Sequence, residues 1–83
     1  MNTKVITPWH NRKQLDTFLD AWRIHESDLR VIFQQDKDKE GCARTKNRGI
    51  ANALGRGADI AIILDDDCFP ENGQTLGDFI AAH

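Results

Sequence analysis

The run Ile60-Ala-Ile-Ile-Leu64 ends abruptly in Asp65-Asp66-Asp67, and Cys68-Phe69-Pro70 closes the segment. A continuous apolar run of that length, rich in β-branched residues, predicts a strand buried on both faces, as in a parallel sheet. Adjacent aspartates at its end repel one another unless a cation sits between them. Carboxylate oxygens suit hard divalent ions, so Asp65 and Asp67 are candidate ligands for Mg²⁺ or Mn²⁺. The competing reading is a solvated turn that simply ends the strand, since Asp is a common turn residue.

The rest of the chain supplies the context. Lys4-Val-Ile-Thr7 predicts a short first strand stopped by Pro8, which cannot continue a central strand, with 8–12 as the following loop. From Asn11, a plausible N-cap, Leu15, Phe18, Leu19 and Trp22 recur at helical spacing, predicting a helix to about His25. Residues 29–34 form a second strand, followed by a polar loop over 35–40. Gly41 opens a second helix to about Leu54, with Ile50, Ala53 and Leu54 inward and Gly55 and Gly57 ending it. Gly49 inside that helix costs about 1 kcal/mol relative to Ala, which points to close packing there. The third strand spans 59–64, and a last helix from about Gln74 turns Leu76, Phe79 and Ile80 inward.

The predicted fold is α/β: a three-layer, Rossmann-like β-α-β-α-β-α unit with a parallel sheet in the order 2-1-3. Ligands of such sheets bind outside the carboxyl ends of the strands. Thr7–Arg12, Gln34–Asp36 with the start of the second helix, and Asp65–Pro70 all fall at that edge.

The 83 residues make one small domain, 1–83, without a linker or repeat. A formal net charge of -2 gives no basic footprint for nucleic acid. No run is long and apolar enough to span a membrane, and two cysteines without a secretory leader predict a cytoplasmic protein with free thiols. A zinc site of His10, Cys42, Cys68 and Asp67 has no supporting ligand spacing. Arg44 lies in the first turns of the second helix, where a helix N-terminus and a guanidinium both suit phosphate. Alternatively, Arg44, Lys46 and Arg48 form a solvated face balancing Asp36, Asp38 and Glu40.

Three stretches together resemble the nucleotide-binding half of GT-A glycosyltransferases: Val5-Ile-Thr-Pro-Trp-His-Asn-Arg12, Arg44-Thr-Lys-Asn-Arg-Gly49 and Ile63-Leu-Asp-Asp-Asp-Cys-Phe-Pro70. The first two look like the family-2 and β-galactosyltransferase pattern. The third is similar to the Asp-Asp-Asp-Cys-x-Pro stretch of reversibly glycosylated polypeptides, which act as UDP-arabinopyranose mutases. The resemblance implies that Asp65 addresses the ribose or sugar, and that Asp67 binds Mn²⁺ or Mg²⁺ bridging a diphosphate. Asp66 then points to the other side. It also implies that Thr7, Pro8 and Arg12 cradle the nucleoside base, that Asp36 hydrogen-bonds uracil, and that Asn47 orients a loop. Trp9 either stacks on the base or joins the core.

Members of these families run well beyond the Asp-x-Asp strand, where the acceptor site and catalytic base lie. This chain resembles the donor-binding half with the acceptor half missing. Two functions are therefore carried forward. One is a metal-dependent glycosyltransferase binding a UDP-sugar; the other is a non-catalytic nucleotide-binding or oligomeric module on the same scaffold. A short parallel sheet with two open edges predicts a homo-oligomer in either case.

Overall fold

The computed structural model describes residues 2–36 and 42–83. Six elements follow in order: β1 (Thr3–Trp9), α1 (Arg12–Trp22), β2 (Val31–Gln35), α2 (Cys42–Gly55), β3 (Ile60–Ile63) and α3 (Leu76–Ala81). The three strands form one parallel sheet in the order β2-β1-β3, as expected. The loop expected over 35–40, beyond Asp36, and the Gly41 helix start lie outside the described residues.

Side chains alternate across β1 and so divide the core in two. Val5 packs with Leu15, Phe18, Leu19 and Trp22 of α1, and with Val31, Leu64 and Leu76. Ile6 faces the opposite way, onto Ile32, Ala53 and Ala58, with Ile50 and Ile63 against them. Helices α1 and α3 therefore cover one face and α2 the other. Gly49 lets α2 lie close on β1, because a Cβ at that position would overlap Ile6 Cγ2.

Four expectations are corrected by the structure. First, β1 runs through Pro8 to Trp9, with Pro8 opposite Gln34. Val5 N donates to Arg30 O and Trp9 O accepts from Asp36 N, so odd residues of β1 bond toward β2. Pro8 thus presents its missing N–H toward β3, whose pairing with β1 stops at Ile6–Ile63. The proline falls where no partner is needed. Second, α1 ends at Trp22 rather than His25. Arg23 adopts the left-handed conformation (φ 55°), and Ile24 N donates back to Leu19 O at 3.1 Å. At the other end Asn11 caps as predicted, its Oδ1 accepting from Gln14 N at 3.2 Å.

Third, the apolar stripe of α2 is narrower than expected. Thr45, Gly49 and Ala53 recur every four residues on the buried face. Leu54 sits about 100° further round and is 60% exposed. The reversal after α2 belongs to Gly57 (φ 81°), while Gly55 is its last helical residue. Fourth, β3 is half-buried at every position instead of buried on both faces, since it is an edge strand. The starts of β2, β3 and α3 also move inward by one or two residues: Leu29 stays 79% exposed ahead of β2. Thr75 caps α3 through a reciprocal pair with Asp78. Among the described residues no helix is long and apolar enough to cross a membrane.

Candidate functional site

The chain leaves β1 on one side of the sheet for β2 and returns across it for β3. The order therefore reverses beside β1, and ligands of such sheets bind outside the carboxyl ends of the strands at this point. Asp65, Asp66 and Asp67 follow β3 directly in a turn closed by Cys68 N donating to Asp65 O at 3.0 Å. Trp22 of α1 fixes the far side of this turn, its Nε1 donating to Cys68 O at 2.9 Å.

The three aspartates divide between the two faces. Asp65 Oδ1 lies 3.4 Å from Lys46 Nζ on α2. Asp66 Oδ1 accepts from Gln14 Nε2 on α1 at 3.5 Å. Its other oxygen, Oδ2, is buried without a hydrogen-bond partner. Burial pushes the Asp66 carboxyl above its ordinary range, and repulsion from Asp67 and Asp65 adds to it, against an opposing pull from His10. Burial and the same two carboxylates push the Cys68 thiol up. One oxygen each of Asp65 and Asp67 and the Cys68 sulfur lie within 4.8 Å of one another. Two hard oxygens and one soft sulfur on a single turn can ligate a divalent ion, which would relieve the repulsion that both pKa shifts record. Exposed acidic groups are common without an ion, and the donor set alone names no metal.

The other predicted residues are distributed around this turn. Thr7 is fully buried in β1 with its hydroxyl unpartnered, a second orphaned polar atom at the same end of the sheet. Pro8 is buried beside it, and Trp9 packs partly against the α1 core, which favours its structural role. Arg12 is committed elsewhere: its guanidinium meets Asp16 at 3.0 Å and Glu26 at 2.8 Å. The Glu26 bond holds the arginine in its charged form and draws the Glu26 carboxyl below its usual range. Asp36 stands half-buried just after β2, where its N–H ties to Trp9 O at 2.7 Å. Arg44 and Asn47 are exposed on α2, and among the described residues neither forms a hydrogen bond or ion pair with the three aspartates. Of the zinc reading, Cys68 and Asp67 are brought together, while His10 contributes only its charge to Asp66.

Lys46 and Gln14 were not anticipated as partners of the aspartates. The available signal for Lys46 was its place beside the sheet-facing Thr45 and Gly49; for Gln14, its place one turn into α1. A family comparison adds nothing to this geometry: no protein-family model, no curated protein and no solved structure matches the chain.

Proposed function

We propose that the carboxyl edge of the sheet binds a nucleotide-diphosphate sugar, with UDP as the leading nucleotide, through Mn²⁺ or Mg²⁺ held by Asp65 and Asp67. The observation that carries this reading is the convergence of the Asp65, Asp67 and Cys68 ligand atoms within 4.8 Å, beside Lys46, outside the carboxyl ends of β1 and β3. A divalent ion there neutralises charge on a diphosphate, the Lewis-acid contribution to glycosyl transfer. Lys46 balances Asp65 and sits where a phosphate would be flanked by an ammonium. Gln14 holds Asp66 toward the opposite face. Resemblance to the donor half of GT-A enzymes supports the choice of ligand class, and the exposed thiol of Cys68 supports a cytoplasmic setting.

The test is calorimetric titration with UDP and UDP-glucose, each with and without Mn²⁺, on the parent chain and on Asp65→Ala and Asp67→Ala. Metal-dependent heat that both substitutions abolish is the expected result. Absence of heat with every nucleotide, on protein shown to be folded, removes the proposal.

A second reading, a non-catalytic assembly module, rests on β3. Ile60 and Ile62 are half-exposed on an edge strand and belong to neither core cluster. An apolar edge of that kind pairs readily with a second copy. Sedimentation velocity should then show a homo-oligomer that Ile62→Lys dissociates; a monomer at all concentrations removes this reading.

A further inference from the structure

A cavity of about 500 Å³ opens on the α1 face, adjoining the aspartate turn only through Trp22 and Pro70. Its lining comes from three segments: 21–24 at the end of α1, Arg30 before β2, and 70–77 leading into α3. None of the residues predicted for nucleotide or metal binding lines it. Its volume lies within the range of small-molecule sites, which combine apolar walls with a few convergent polar groups.

The wall chemistry is specific. Trp22, Ile24 and Leu76 provide apolar surface, and Arg23 and Arg30 are the two cationic residues of the lining. Asp28 engages only part of the Arg30 fork, taking Nε at 3.0 Å and Nη2 at 2.7 Å. The remaining Nη1 makes no hydrogen bond among the described residues and is the side-chain atom 3.9 Å from a Cβ built on Gly77, another lining residue. The Arg23 side chain makes no hydrogen bond or ion pair among the described residues, while its backbone N–H donates to Asp20 O at 3.2 Å. Arg23 also occupies the left-handed helix-terminating position, where glycine or asparagine is usual and an arginine backbone is strained. Glu71 is the one carboxylate in the lining, and Asp28, outside it, neutralises part of the Arg30 charge.

We propose that this cavity binds a small organic anion: a carboxylate or phosphate monoester on an apolar stem. Arg23 and Arg30 Nη1 take the anionic head, and Trp22, Ile24 and Leu76 take the stem. Glu71 opposes the charge and limits affinity. This site is independent of the nucleotide proposal, and either can fail without the other.

Amide chemical shifts of the full chain titrated with octanoate, phenyl phosphate and, as the neutral control, octanol provide the test. Expected are saturable shifts at 21–24 and 70–77 with both anions, smaller ones at 65–68 where Trp22 holds the turn, and weaker binding of octanol. Arg23→Gln should weaken octanoate binding on the order of tenfold, since it removes a charged hydrogen bond, and Glu71→Gln should strengthen it, since it removes a repulsion. Both positions are exposed, so the variants keep the fold. Equal affinity for octanol, indifference to both substitutions, or no saturable shift at millimolar octanoate and phenyl phosphate overturns the proposal.

Discussion

Asp66 shows how a single side chain can make stability depend on pH. Its folded-state pKa is raised above the ordinary 3.8, chiefly by burial. The unfolded chain then loses this proton first, so between the ordinary and the raised value the folded state binds more protons. Stability falls as pH rises through that window and stays reduced above it. Asp66→Asn should remove the fall, leaving the variant more stable than the parent at neutral pH; urea midpoints from about pH 3 to pH 7 decide this. Arg23 carries strain of another kind. Arg23→Gly should stabilise the chain by about 0.5–1 kcal/mol, the relief of a left-handed side-chain clash less the added freedom of the unfolded glycine. Thermal unfolding measures that gain, and an unchanged or lower midpoint argues against strain at this residue. At this scale, the sequence reading reached Asp65 and Asp67 through their place at the end of an apolar run. It did not reach the pairing of Lys46 with Asp65 or of Gln14 with Asp66, because each bond joins residues distant in sequence and from different elements.

Strands and helices were legible wherever their own pattern decided them. Leu15, Phe18, Leu19 and Trp22 are all buried, as helical periodicity required. Boundaries depended on neighbours instead. Pro8 stays inside β1 because β3 has already ended on the side it faces, a fact about pairing that local propensity does not contain. Leu54 turned outward because the sheet-facing side of α2 is a narrow row of small residues. That row yields a prediction: Gly49→Ala should destabilise by about 1–3 kcal/mol, since overlap with Ile6 outweighs the helix propensity gained. A chemical-denaturation curve no weaker than the parent's would show that α2 can lift off β1 at no cost. Helix α3 is short, and its Thr75–Asp78 capping box satisfies backbone groups that six residues cannot bond internally. Thr75→Ala should cost about 1 kcal/mol, with the loss of amide protection confined to α3 and the residues beside it.

Over the whole molecule, the sheet sets the two proposed sites at different places. The aspartate turn stands where the order β2-β1-β3 reverses, as the α/β rule anticipates from sequence. The cavity was invisible in the sequence because it is built from the ends of α1 and from return segments that carry no periodic signal. Trp22 touches both regions, lining the cavity while its indole N–H holds the carbonyl of Cys68. Trp22→Phe should therefore loosen the aspartate turn by removing that donor: we expect Mn²⁺ affinity several-fold weaker, read by calorimetry, alongside a loss of about 1 kcal/mol from the missing bond and a further loss from the smaller ring in a buried site. The strand order also bears on how the protein is made. A ribosome delivers β1 and β2 well before Ile60–Ile63, so the nascent sheet holds a gap beside Lys4 and Ile6 until β3 arrives. Any other copy still unfolded can fill that gap with its own identical strand. Exchange of β3 between molecules is the misassembly this topology invites, and crowded synthesis or concentrated refolding is where it would surface.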